Sequence, residues 1–251
     1  MSSGSSRLVG YARIMRRPHL GVRRRARTAW LAVADRRYWR SLRRLDAGKP
    51  AEYSSYLDIQ LRRTLLKRSN DPGVGTRVLI DRATRAFPGK DARVLCIGCR
   101  NPIELDEFRA RGFTDVVGVD LFSQRSDIQV MDMHELTFAD DSFDIVYCSH
   151  SLEHSYNVDK VASEIARVAR KGAVVAVEVP VRGRASAADR IEFAGIDAVR
   201  DVFRRCTAET CSVVAQPKRS RPRNTLLAPK RTVKAVISHA SCSAWRKHHR
   251  R

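Results

Sequence analysis

Residues 92–105 run from a short apolar stretch, Val94-Leu95-Cys96-Ile97, through Gly98 and into a segment with a helical pattern. A strand that leaves through a glycine turn and opens into a helix is how an α/β protein builds a nucleotide pocket. A second apolar run, Val116-Val117-Gly118-Val119-Asp120, ends on a carboxylate 22 residues after Gly98. An acid at that spacing stands at the carboxyl edge of the neighbouring strand, where it accepts hydrogen bonds from a vicinal diol. Each element alone is weak, but the pair strongly restricts the folds open to the chain.

Two more strands are predicted. Residues 143–148 form an apolar run bounded by the turn-like 139–142, and residues 172–180 form a β-branched run closed by Pro180. Between them, residues 158–170 carry apolar side chains at helical spacing. Strands alternating with helices predict an α/β chain with a Rossmann-like, doubly wound, mostly parallel sheet. Residues 212–215 and 232–237 are short β-branched runs suited to an antiparallel closing pair, joined by an exposed, basic, proline-containing loop over 216–230. Helices are expected over 53–67, 76–87 and 192–205, the first placed to close over the pocket as a lid.

With these motifs in hand, residues 92–180 resemble class I S-adenosylmethionine-dependent methyltransferases of the small-molecule group. The resemblance rests on the strand and turn at 94–99, on Asp120, on Val130-Met131-Asp132-Met133, on Asp141-Ser142-Phe143-Asp144, on Ser149-His150-Ser151-Leu152-Glu153-His154, and on Glu164-Ile165-Ala166-Arg167-Val168 with its Lys171-Gly172 turn. It implies S-adenosylmethionine as cofactor. The turn at Cys96 and Gly98 would lie against the methionine part, Asp120 with Leu121 at the ribose, Asp132 and Met133 at the adenine, and Ser149 beside them. The chain departs from the family at Cys99-Arg100-Asn101-Pro102, where further glycines are usual, and at Cys96, where an acid is common. Glycine serves such turns because it tolerates positive φ and leaves room for a ligand. Asn101 can adopt a left-handed conformation at some cost, and Arg100 can reach the cofactor carboxylate with a charge-assisted bond. The alternative is a degenerate loop that binds no cofactor.

Methyl transfer needs alignment of an acceptor and, for some acceptors, a base. His150 is the first candidate base and His154 the second, because both follow strand four at the carboxyl edge where open α/β sheets bind ligands. The competing reading has Glu153 and His154 capping or supporting the next helix. Cys96-x-x-Cys99 and His150-x-x-x-His154 imitate a zinc ligand set, but Cys96 lies in a strand and an αβ unit separates the pairs, so no metal is expected. The six cysteines suit a reduced, cytoplasmic chain better than a disulfide framework.

The net charge of +21 is uneven. Residues 1–49 hold 14 Lys/Arg against 2 Asp/Glu, residues 206–251 hold 11 against 1, and residues 50–205 hold 23 against 24. The core is therefore neutral and the ends are basic. An amphipathic helix is expected over 27–45, with Trp30, Leu31, Trp39 and Leu42 on its apolar stripe. That stripe suits packing on its own domain, an anionic membrane surface with peripheral attachment, or, with its arginines, nucleic acid. Residues 1–27 also have the composition of an organelle transit peptide, while the first 30 residues lack the apolar stretch of a secretory signal.

The organisation expected is a basic extension at 1–49, a methyltransferase domain at 50–240 and a basic tail at 241–251. The function expected is O-methylation of a small-molecule, sugar or lipid-linked acceptor. The alternatives are an RNA methyltransferase that uses the basic ends and a non-catalytic binding or scaffold protein. A dehydrogenase fits less well, because the glycine pattern for a pyrophosphate is missing.

Overall fold

A computed structural model describes residues 36, 40, 43–66, 73–99, 102–123, 125–181, 186, 188–206, 212–213, 216–217 and 231–238. Its elements are α1 (Ala51–Leu66), α2 (Gly73–Ala86), β1 (Val94–Ile97), α3 (Ile103–Arg109), β2 (Val116–Asp120), β3 (Ile128–Val130), β4 (Phe143–Ser149), a 3-10 turn (Leu152–His154), α4 (Val158–Val168), β5 (Ala169–Val181), α5 (Ile196–Cys206), β6 (Ser212–Val213), β7 (Gln216–Pro217) and β8 (Arg231–Ser238).

The strands follow the order β3-β2-β1-β4-β5-β8-β6, with β7 also paired to β8. The first five are parallel. β8 runs antiparallel to β5, from Val174 opposite Ser238 to Val181 opposite Arg231. The chain moves outward from β1 through β2 to β3, then returns to the other side of β1 for β4. The strand order thus reverses between β1 and β4, and the carboxyl edge there is the crevice in which open α/β sheets bind ligands.

Strand side chains alternate between two buried layers, as the pleat requires. Leu95, Ile97, Val146, Cys148, Val175 and Val177 pack with Val161, Ile165 and Val168 of α4 and with Val199, Val202 and Phe203 of α5. Val94, Cys96, Ile145, Tyr147, Val174 and Ala176 pack with Leu79, Ile80 and Ala83 of α2 and with Leu105 and Phe108 of α3. Burial on both faces explains why these strands read as continuous apolar runs. A third cluster joins Tyr53, Tyr56, Leu57 and Leu61 of α1 to Phe122, just beyond β2.

Several boundaries differ from the sequence expectation, among them the start of α5 at Ile196 rather than 192. α4 ends at Val168 rather than 170, and Ala169 already pairs with Phe143, with a register shift before Ile145 meets Val174. An alanine buried in the sheet leaves the same apolar mark as one buried under a helix. α4 starts with the Asn157 side chain accepting a hydrogen bond from the Lys160 amide, so Asn157 is its cap rather than Glu153 or His154. Gln216 and Pro217, read as loop, lie antiparallel to β8; a proline at the sheet margin forfeits no ladder donor. Most of the 27–45 helix, residues 214–215 and the 241–251 tail lie outside the described residues. No helix among the described residues is long and apolar enough to cross a membrane.

Candidate active site

Gly98 follows β1 with φ +72, and its amide donates to the Val119 carbonyl at 2.8 Å. A Cβ at this position would lie 1.9 Å from Ser151 Oγ. The turn after β1 and the turn after β4 therefore touch at a point only glycine can occupy. Ser151 Oγ donates to the Ser149 carbonyl at 3.2 Å and lies 3.4 Å from the Ile97 carbonyl, which holds the two turns together.

Asp120 ends β2 half-buried, and its Oδ1 accepts the Phe122 amide at 3.2 Å, which orients the carboxylate. Leu121 packs against the α1 cluster. Cys96 and Cys99 are sealed in the core, and burial pushes both thiols well up. Any part that Cys96 plays at a cofactor is thereby confined to its main chain. Cys99 lies under β2, where a Cβ on Gly118 would come 2.6 Å from its sulfur. Arg100 and Asn101 lie outside the described residues.

Asp132 leaves β3 almost fully buried. Its Oδ2 accepts the Tyr53 hydroxyl at 2.6 Å, and its Oδ1 accepts the His134 amide at 2.9 Å and lies 2.6 Å from His134 Nδ1. His134 Nε2 accepts the amides of Tyr156 and Asn157 at 3.0 and 3.2 Å, so the ring carries its proton on Nδ1, facing Asp132. Burial acts to raise the Asp132 carboxyl, but the bonds from His134 and Tyr53 outweigh it and leave the carboxyl below its ordinary value. Both oxygens expected at the adenine are therefore already engaged by the protein. Met133 is half-buried against the α4 side of the core. A cavity of about 480 Å³ adjoins the outer margin of β3, lined among others by Lys49, Met131 and Asp132. Of the described residues assigned to the cofactor from sequence, only Asp132 borders it.

α1 packs on Phe122, Asp132 and Tyr156 beside this edge. The Tyr53 and Tyr56 rings meet Tyr156 at centroid distances of 4.9 and 5.6 Å. Arg190 stands 5.0 Å over the Tyr156 ring, and Gln60 Nε2 donates to the Ala188 carbonyl at 2.8 Å.

His150, directly after β4, is one of the few non-glycine residues with positive φ, at +53. Its amide donates to the Glu178 carbonyl at 2.7 Å, and its ring is 40 % exposed. Nδ1 lies 3.3 Å from Glu153 Oε1 and Nε2 lies 3.8 Å from Glu178 Oε1, both carboxylates being only 3 % exposed. Ser149 Oγ is 3.3 Å from Glu178 Oε2. His154 turns the other way, with Nδ1 3.1 Å from the Ala188 carbonyl and 3.0 Å from Asp189. The fold thus brings His150, Glu153, Ser149 and Glu178 together and commits His154 to the 188–189 segment. Among the described residues no group of His, Cys, Asp or Glu is placed to hold a metal ion.

Glu178, His134, Tyr53 and Arg190 were not singled out from sequence. Glu178 left one signal, a lone acid inside the apolar run 173–181. The other three left none, because each works through a partner far along the chain.

The described residues fit an adenosyl cofactor at this edge: the Gly98 turn has no space for a side chain, and the Asp120 carboxylate is oriented at the end of β2. A family model described as a methyltransferase domain matches residues 71–211. The chain is 37% identical over 87 residues to Methyltransferase GfsG of Streptomyces halstedii, a match covering 34% of this chain and 28% of that protein. The matched part therefore spans under a third of that relative's length. Among solved structures, the 1,6-didemethyltoxoflavin-N1-methyltransferase of Burkholderia thailandensis, with bound 1,6-didemethyltoxoflavin and S-adenosylhomocysteine, superposes with a TM-score of 0.61 at 17% identity, over 77% of this chain and 92% of that one. The YcgJ protein of Bacillus subtilis superposes with a TM-score of 0.50 at 14% identity, over 66% and 98%. These two likenesses concern the fold, whereas the family model spans more than half the sequence and takes in the Gly98 turn, Asp120 and the segment after β4. The chain belongs to the class I S-adenosylmethionine-dependent methyltransferases.

Proposed function

We propose that the protein methylates a hydroxyl oxygen of a small molecule, with His150 as general base. The observation that carries this reading is the placement of His150: a left-handed residue at the carboxyl end of β4, with an exposed ring set between two buried carboxylates. Sparsely populated backbone conformations persist where the surroundings enforce them, and they cluster at functional sites. When bound, the cofactor supplies a methyl group on a sulfonium sulfur, which keeps the electron pair of the broken C–S bond as a neutral thioether.

The chain's own residues do the rest. Asp120 would take the ribose hydroxyls, the Gly98 turn would admit the methionine part, and Ser149 would border the adenosine. The acceptor hydroxyl gives its proton to His150, which leaves the oxygen electron pair free to attack. α1, over the edge, excludes water from the reacting groups. The small-molecule ligand bound in the Burkholderia thailandensis structure is compatible with an acceptor of similar size here.

The test is methyl transfer from radiolabelled S-adenosylmethionine to a panel of methyl glucoside, catechol, benzoate and benzylamine. A hydroxyl acceptor should be labelled, and His150→Ala should lower its turnover by about 10²–10⁴-fold, the usual range for a general base. Labelling of the amine or carboxylate alone, or full turnover by His150→Ala, overturns the reading.

A further inference from the structure

Glu153 combines two features that need a common explanation. Its side chain is 3 % exposed, yet its Oε2 has no hydrogen-bond partner among the described residues. Its Oε1 faces two imidazoles, His150 Nδ1 at 3.3 Å and His154 Nε2 at 3.8 Å. A buried carboxylate is ordinarily held by several hydrogen bonds, because its desolvation is costly otherwise. Packing alone would be served better by an apolar residue, since Leu152 beside it is fully buried.

The tautomers follow from the distances. His154 Nδ1 lies against two acceptors, the Ala188 carbonyl and Asp189 Oδ1, and so carries that ring's proton. A neutral His154 therefore turns a lone pair toward Glu153 and offers it no donor. That leaves His150 as the group able to donate to Glu153 Oε1, which puts the His150 proton on Nδ1. The opposite nitrogen, Nε2, has no partner within hydrogen-bond distance among the described residues, the nearest carboxylate oxygen being Glu178 Oε1 at 3.8 Å.

We infer that Glu153 is a positioning residue for methyl transfer: it accepts the His150 Nδ1–H, leaves Nε2 as the proton-accepting atom, and stands as buried counter-charge to the imidazolium. This rests on the proposed role of His150. In the proton step the acceptor O–H bond breaks, the proton goes to Nε2, and the bonding pair stays on oxygen to form the new bond to the methyl carbon. The positive charge that appears on His150 lies beside a carboxylate with no competing hydrogen bond among the described residues. In low dielectric that attraction is larger than at the surface. The positive φ of His150 and its amide bond to the Glu178 carbonyl hold the ring where both relationships exist together.

The test is the long-range ¹H–¹⁵N imidazole spectrum of the full chain with S-adenosylhomocysteine, recorded for wild type, Glu153→Gln and Glu153→Ala, with His150 assigned by His150→Asn. The wild type should show His150 as the Nδ1–H tautomer, and Glu153→Ala should lose it for a mixture richer in Nε2–H. Glu153→Gln keeps the shape and an acceptor oxygen, so it should keep the tautomer. With the hydroxyl acceptor of the panel, both variants should lower kcat by about 10²-fold with KM little changed, at the lower end of what a base contributes. Cofactor affinity, from calorimetry with S-adenosylhomocysteine, should hold in both, which also excludes misfolding. A wild-type His150 in the Nε2–H form, or one unchanged by Glu153→Ala, overturns the inference. Unchanged turnover in His150→Ala with a shifted tautomer in Glu153→Ala instead overturns the base reading itself, so the two failures are distinguishable.

Discussion

The Tyr53 hydroxyl donates to Asp132 Oδ2 across 2.6 Å, tying α1 to the loop that leaves β3. Burial and the neighbouring Asp132 push the Tyr53 hydroxyl well up, so it stays a donor. Tyr53→Phe keeps the ring contacts with Tyr56, Tyr156 and His134 and removes this bond. A hydrogen bond to a charged group contributes about 1.5–3 kcal/mol. Urea unfolding of Tyr53→Phe should show a loss in that range, with weaker S-adenosylhomocysteine binding if α1 covers the cofactor.

Asp132 predicts a pH dependence of definite sign. Its carboxyl is lowered in the folded chain, so the stability it contributes is fully present above the unfolded value of about 3.9. That stability is lost as pH falls through the lower folded value. Between about pH 4 and pH 2 the wild type should therefore lose more stability than Asp132→Asn, which has no such proton to gain. Unfolding free energies measured across this range check the difference; parallel curves would refute it.

Gly98→Ala sets a Cβ 1.9 Å from Ser151 Oγ at a φ of +72. The backbone conformation alone costs about 1–2 kcal/mol for an L side chain, and the clash adds to it. Ser151→Gly in the Gly98→Ala background removes the side chain in the way, because the nearest remaining atom, the Ser151 Cα, is 3.9 Å away. Thermal unfolding should show partial recovery in the double variant, short of wild type by the backbone cost.

Asp120→Ala removes the carboxylate that ends β2 while leaving the strand pairing of its backbone with Val130. Charge-assisted bonds are roughly twice as strong as neutral ones, and two of them lost from a diol should raise the S-adenosylmethionine Kd about 10–100-fold, or about 1.4–2.7 kcal/mol. Calorimetric titration of wild type and variant measures it. An unchanged Kd would remove Asp120 from the cofactor site.

The parallel core was legible because its signals are local. Val94-Leu95-Cys96-Ile97, Val116-Val117-Gly118-Val119 and the run from Phe143 each announce a strand buried on both faces, and the turns between them carry the residues a turn needs. The 22-residue interval from Gly98 to Asp120 equally reflects one turn, one helix and one strand at ordinary lengths. β7 was missed because Gln216 and Pro217 have no strand propensity and are paired only through β8.

What the amino-acid order determined by itself is therefore the fold class, the glycine turn that follows β1 and the acid that ends β2. All of these depend on periodicity and spacing within a few tens of residues. Tertiary structure alone decided which polar groups face one another. The order β3-β2-β1-β4-β5 sets Ser149 opposite Glu178, 29 residues away, and the packing of α1 lays Tyr53 on Asp132, 79 residues away. It also turns Cys96 into the core and leaves Asp132 saturated by the protein. Side-chain direction is fixed by the pleat and by the element packed above it, and neither is written in a residue's immediate neighbours.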